Sequence, residues 1–185
     1  MGIPQEITQN NSLFYSMQPF KSRLQRYLPD ESATSALGAA LARALQPGLV
    51  IYLHGDLGAG KTALTRALLQ AAGHAGTVKS PTYTLSEPYR VMLDGKPLNV
   101  IHYDLYRMSS PEEFLDAGFR EDFDGRNVCI VEWPEKGDPV LPAPDLRILL
   151  NVSGPGRDVE LQALSELGLL CLDRLAPLLP PQPPA

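Results

Sequence analysis

Cysteine is scarce in this chain. Cys129 and Cys171 are the only two among 185 residues, too few for a disulfide framework or a cysteine-built metal cluster. Cys129 lies in an apolar run that reads as a buried strand, and a reducing, cytoplasmic setting is the expectation. Positive charge is short as well: 16 Lys and Arg stand against 21 Asp and Glu, for a formal net charge of -5. Such a balance offers no broad cationic face of the kind that grips a phosphate backbone, so stable direct binding to nucleic acid is disfavoured. No apolar stretch approaches the roughly 18 residues of a membrane span. Nor does a basic segment lead into an apolar one at the N-terminus, so neither membrane insertion nor export is expected. The sequence contains no internal repeat.

What is present suits one ordinary core. The chain is 44% hydrophobic, and roughly 100–200 residues per domain is the usual size. Residues 1–28 mix polar side chains, scattered aromatics and basic pairs without a period, which predicts an irregular extension. A domain over 29–176 follows, and the proline-rich end at 177–185 reads as a frayed tail. Within the domain, Pro29 and Asp30 lead into a helix marked by Leu37, Leu41 and Leu45 and stopped by Pro47-Gly48. Leu49 to Leu53 is a short β-rich run buried on both faces, and Thr62 to Ala72 repeats at helical spacing before Gly73. Two β-rich stretches flank Asp94-Gly95, a hairpin signal. Ser110-Pro111-Glu112-Glu113 reads as a capping box that starts a short helix ending at Gly118. Asn127 to Glu132 and Asp145 to Val152 are further strands, and a strand end and final helix are expected between Leu161 and Leu175. Strands alternating with helices in this way predict an α/β fold with a central, mostly parallel sheet flanked by helices, plus an antiparallel hairpin.

The segment richest in chemistry is Gly55-Asp56-Leu57-Gly58-Ala59-Gly60-Lys61-Thr62, a full match to G-x-x-x-x-G-K-[ST]. A strand runs into it and a helix runs out, the context of a P-loop NTPase in which backbone N–H groups wrap a phosphate at a helix N-terminus. Lys61 would bridge the β- and γ-phosphates of ATP, and the Thr62 hydroxyl would ligate Mg²⁺. Asp56, Leu57, Gly58, Ala59, Gly60, Ala63 and Thr82 complete the expected nucleotide contacts. Such a site also needs an acid at the C-terminal end of a buried strand beside the loop. Asp104 and Glu132 both fit. Asp104 suits an inner or outer Mg²⁺ contact, and Glu132 either the metal's water or the attacking water. His54 and His102 read as packed strand residues more than as ligands or bases. Ser80-Pro81-Thr82-Tyr83-Thr84 is either a segment that senses the γ-phosphate or a turn before the hairpin. ATP is favoured over GTP: no Asn-Lys-x-Asp string occurs, and the one Asp-x-x-Gly, Asp122 to Gly125, lacks a preceding apolar strand.

Four strings together are specific. GDLGAGKT at Gly55–Thr62, VKSPTYTL at Val78–Leu85, HYDLYR at His102–Arg107 and VEWPEKG at Val131–Gly137 resemble the TsaE family in order and spacing, over about Leu28 to Leu175. The resemblance implies an ATPase that acts with TsaB and TsaD in placing threonylcarbamoyl on adenosine 37 of tRNA, without transferring the group or binding tRNA stably itself. It also implies that Lys61 and the loop amides hold phosphates, that Thr62 and Glu132 serve Mg²⁺, and that Asp104 supports the catalytic centre. Glu31, Gly156 and Arg157 correspond to positions flanking adenine or ribose. Two other readings remain open on the residues alone: a small P-loop kinase, and a nucleotide-gated adaptor with negligible turnover.

Overall fold

The computed structural model describes residues 22–181. Their order is β1 (Arg23–Leu28), α1 (Glu31–Ala44), β2 (Val50–His54), α2 (Lys61–Ala71), β3 (Ser86–Leu93), β4 (Lys96–Asp104), α3 (Pro111–Asp116), β5 (Val128–Glu132), β6 (Leu146–Ser153), β7 (Gly156–Ala163) and α4 (Glu166–Leu175), with short 3₁₀ turns between and after them. One seven-stranded sheet runs β1-β7-β6-β2-β5-β4-β3. Its four central strands, β6, β2, β5 and β4, are mutually parallel. Both edges are antiparallel: β3 on β4, and β1 on β7 on β6. The antiparallel part therefore exceeds the single hairpin expected.

The strand periodicity of two sorts the core into two layers. Ile51, Leu53, Val100, Val128, Ile130 and Ile148 face α1, α2 and α4 through Leu37, Leu41, Leu64, Leu68 and Leu172. Val50, Tyr52, Ile101, Tyr103, Cys129 and Val131 face the other way, toward Phe114 of α3. Each such side chain, fully buried, contributes roughly 1.5–3 kcal/mol relative to exposure. On the first layer α1 and α2 approach closely, because a Cβ at Gly38 would lie 2.6 Å from Ala67 Cβ and 2.9 Å from the Leu68 backbone nitrogen. That contact brings the start of α1 beside the start of α2.

Most expected elements are present, with three corrections. Arg23–Leu28 is not irregular: it alternates exposed and partly buried residues and pairs along its whole length with β7, Arg23 opposite Gln162 and Leu28 opposite Arg157. Its charged and amide side chains mask the period, and residues 1–21 of the expected extension lie outside the described residues. The tail is ordered further than expected, since Ala176–Leu178 forms a 3₁₀ turn and Leu178 and Leu179 pack on the core; positions 182–185 lie outside the described residues. Finally, the capping box at α3 is only half made. Glu113 reaches back, but its carboxylate accepts from Ser109 N at 3.2 Å, and Ser110 makes no side-chain cap. The Asp94-Gly95 turn has positive φ at both residues, 49° and 76°, the left-handed pair that matches strand twist in a two-residue hairpin.

Candidate functional site

The strand β2 ends at His54, and the chain turns through the glycine loop into α2 without a capping side chain. Gly60, in the N-cap position, has φ 106° and offers no side-chain acceptor, and the first turn of α2 carries no acid. The other long helices differ: Asp30 caps α1 with Glu31 following, and Ser165 caps α4 with Glu166 following. The leading N–H groups of α2 and the positive end of its dipole are thus left for an external anion. Gly60 is restricted twice over. Its φ suits a residue without Cβ, and a Cβ there would meet Arg157 Nε at 2.9 Å.

Strand alternation then delivers the acids. His102, Asp104 and Glu132 share the parity of Val100, Val128 and Ile130, so they point to the sheet face that α2 covers. Register places Asp104 directly opposite Glu132 on parallel neighbours. Glu132 is 2% exposed and meets α2 directly: Thr62 Oγ1 donates to its Oε1 at 2.9 Å and lies 3.1 Å from Oε2. His102 Nε2 is 2.8 Å from the same Oε1. Asp104 faces other donors. Its Oδ1 accepts from Tyr106 N at 3.0 Å, and its Oδ2 accepts from Ser80 and, at 3.3 Å, from Thr82. The hydroxyl segment is thereby tied to the end of β4.

Lys61 opens α2, one residue before Thr62. Its Nζ donates to Gly55 O at 2.5 Å and Asp56 O at 3.0 Å and sits 4.0 Å from the centroid of the Trp133 ring. Burial lowers the pKa of this ammonium, while the carboxylates of Glu132, Asp104, Glu135 and Asp56 act in the opposite direction. Trp133 follows Glu132 with φ 58° and ψ 48°, a left-handed conformation that costs a non-glycine residue roughly 1–2 kcal/mol. A cation–π contact of about 0.5–2 kcal/mol is of the size needed to offset it. The same turn sets Trp133 beside Tyr106, ring centroids 4.9 Å apart and planes tilted by 47°.

One cleft of about 690 Å³ collects these groups. Of the residues expected from sequence, Glu31, Leu57, Gly58, Gly60, Lys61, Thr62, Ala63, Thr82, Asp104, Glu132 and Arg157 line it. Asp56, Ala59 and Gly156 do not. Asp56 contributes its carbonyl to Lys61, and Ala59 turns its side chain into the core while its carbonyl accepts from Arg157 Nε at 2.6 Å. Gly156 is packed under β1, where a Cβ would meet Leu28 O at 2.4 Å. Thr34, Tyr106, Arg107 and Trp133 line the cleft as well, the last three from within the HYDLYR and VEWPEKG strings. Thr34 was within reach of sequence reading, since it sits one helical turn after Glu31. His102 and His54 are strand residues as expected, but His102 is bonded into the acidic pair instead of merely packed. His54 Nδ1 is 3.4 Å from Glu135, and burial lowers its pKa. Among the described residues no group of three or more His, Cys, Asp or Glu is arranged to hold a metal by itself, and no helix is long and apolar enough to cross a membrane.

Residues 28–159 match the family model described as threonylcarbamoyl adenosine biosynthesis protein TsaE. The tRNA threonylcarbamoyladenosine biosynthesis protein TsaE of Haemophilus influenzae is 43% identical over 150 residues, 78% of this chain and 92% of that one. Its namesake in Bacillus subtilis is 39% identical over 126 residues, 68% of this chain and 75% of the relative. The crystal structure of Bacillus subtilis YdiB superposes with a TM-score of 0.69 at 27% identity, covering 86% of this chain and 98% of that one. With the P-loop sheet, the uncapped helix and the matched segment spanning most of the domain, this chain belongs to the TsaE family.

Proposed function

We propose that this protein is a Mg²⁺-dependent ATPase that supports threonylcarbamoylation of adenosine 37 in tRNA, acting with TsaB and TsaD. The observation that supports the chemical part most directly is the Thr62–Glu132 pair. A P-loop hydroxyl, its neighbouring ammonium and a buried carboxylate meet at the end of a parallel sheet, at an open helix N-terminus. The pathway rests on family membership and on the names of the relatives.

The donor set fits Mg²⁺, which takes hard oxygen ligands, few of them from protein. The Thr62 hydroxyl keeps its lone pairs free while its proton is held by Glu132. Glu132 and Asp104 supply nearby negative charge. The cation would neutralise charge across the β- and γ-phosphates. The chain's own groups do the rest. The first N–H groups of α2 hold phosphate oxygens, and Lys61 exchanges the Gly55 and Asp56 carbonyls for them. Glu132, fixed on one oxygen by Thr62 and His102, has remaining lone pairs on Oε2 to orient a water and take up its proton. Asp104 holds Ser80 and Thr82 at the cleft wall, where a γ-phosphate would compete for their hydroxyls. Glu31, Thr34 and Arg157 are assigned to the adenosine side.

Steady-state ATP hydrolysis, measured alone and then with purified TsaB and TsaD, tests the reading. Stimulation by the pair that is absent in Lys61→Ala supports it. ATP binding without turnover in either condition would replace it with the adaptor reading, and phosphate transfer to a metabolite with the kinase reading. Glu132→Gln keeps nucleotide binding and loses turnover by about 100-fold or more, the usual scale for removing a general base.

A further inference from the structure

His102 is fully buried, 0% exposed, in β4 between Ile130 of β5 and Glu87 of β3. Its Nε2 is 2.8 Å from Glu132 Oε1, and its Nδ1 has no partner among the described residues. An ionised carboxylate only accepts hydrogen bonds, so a proton must sit on Nε2 and be donated to Glu132. A buried donor without an acceptor is rarely tolerated, and the neutral ring with a bare Nδ1 avoids one. The same Oε1 takes Thr62 Oγ1 from the other side. Two donors on different elements, β4 and α2, therefore converge on one oxygen of a side chain that begins on β5.

We propose that His102 is a positioning residue: through its Nε2–H it locks the Glu132 carboxylate in the orientation that pairs it with Thr62 at the wall of the cleft. Thr62 by itself is an inadequate anchor, because its hydroxyl rotates and its lone pairs are needed for the cation. The imidazole is rigid, fully buried and held by sheet register, with His102 opposite Ile130 and Asp104 opposite Glu132. An oriented carboxylate is worth more than a mobile one, and removal of such outer partners typically costs about 10- to 100-fold in metal affinity or activity.

The functional part of this inference rests on the ATPase reading, and the structural part does not, so the test has two arms. In the first, the full chain without nucleotide is labelled with ¹⁵N and its histidine rings are examined by long-range ¹H–¹⁵N correlation. His54, His74 and His102 are the three histidines, and His102 is assigned by its loss in His102→Gln. The expected result is the Nε2–H tautomer, with a ring signal that moves in Glu132→Gln. An Nδ1–H tautomer, or no response to Glu132→Gln, overturns the proposal. In the second arm, emission of Trp133, the only tryptophan, follows ADP binding with and without Mg²⁺. His102→Leu should weaken the Mg²⁺ enhancement about 10-fold or more while leaving affinity in EDTA unchanged. His102→Gln, whose amide nitrogen reaches about as far as Nε2, should recover most of it. Equal losses in both variants, or a wild-type Mg²⁺ response in His102→Leu, refute the positioning role. Failure of the wild type to bind any nucleotide would instead defeat the ATPase reading, and the first arm would still decide whether His102 anchors Glu132.

Discussion

Removing the Lys61 ammonium is the sharpest perturbation of the cleft. Truncating one partner of a buried, hydrogen-bonded charge pair costs about 2–5 kcal/mol in binding. The structure argues for the lower part of that range here. Without nucleotide the ammonium is already satisfied, by Gly55 O at 2.5 Å, Asp56 O at 3.0 Å and the Trp133 ring at 4.0 Å, so phosphate contacts replace these partners and do not simply add to them. A net loss of about 2–3 kcal/mol corresponds to roughly 30- to 150-fold in Kd for ATP, at 1.4 kcal/mol per decade. Lys61 is only 4% exposed, so its stem also packs, and Lys61→Met beside Lys61→Ala separates charge from packing. Calorimetric titration with Mg·ATP and Mg·ADP, on variants shown to be folded by circular dichroism, gives the numbers. The loss should be larger for ATP than for ADP, since the charge is assigned to the β- and γ-phosphates. ATP affinity within about twofold of wild type in both variants would show that the nucleotide does not use this loop.

Gly38→Ala would stabilise an ordinary exposed helix interior, but here its Cβ would meet Ala67 Cβ at 2.6 Å and backbone at 2.9 Å. The expected outcome is destabilisation by about 1–3 kcal/mol from overpacking, read by urea denaturation. Burial pushes both Cys129 and Cys171 thiols up to about 12; neither should react with a thiol reagent at neutral pH until denaturant unfolds the chain, which mass spectrometry checks. Backbone N–H groups of Asn127 and Arg126 hold the Asp124 carboxyl down from 3.8 to about 2. A carboxyl depressed by folding stabilises above its unfolded value and loses that contribution as pH falls toward the folded one. Asp124→Ala should therefore be less stable than wild type above pH 4, with the gap closing toward pH 2 in thermal melts across that range.

The strand, glycine loop and helix around Lys61 were legible because every signal for them is local. An apolar run of five, a loop motif and a leucine repeat lie within about two dozen residues, and no distant partner is needed to recognise them. The acids Asp104 and Glu132 were legible as strand ends for the same reason. Arg23–Leu28 was not, because an edge strand with polar side chains on both sides has no hydrophobic period, and only its pairing with β7 makes it a strand. Gly156 was assigned to the nucleotide by resemblance and Ala59 by the loop motif; packing sets Gly156 under β1 and turns the Ala59 side chain, though not its backbone, into the core.

What the sequence determined by itself was thus the chemistry available: one phosphate loop, two carboxylates at strand ends, and a net charge of -5. What only the tertiary structure decided was which of these groups touch. Asp104 and Glu132 look alike in sequence, yet Glu132 meets Thr62 and His102, while Asp104 is bound to Ser80 and Thr82. The difference comes from strand order and register, which are set by pairings between residues far apart in the chain. The His102 bond was hidden for a related reason: in a strand buried on both faces, burial does not alternate, and nothing local separates a packed histidine from a bonded one.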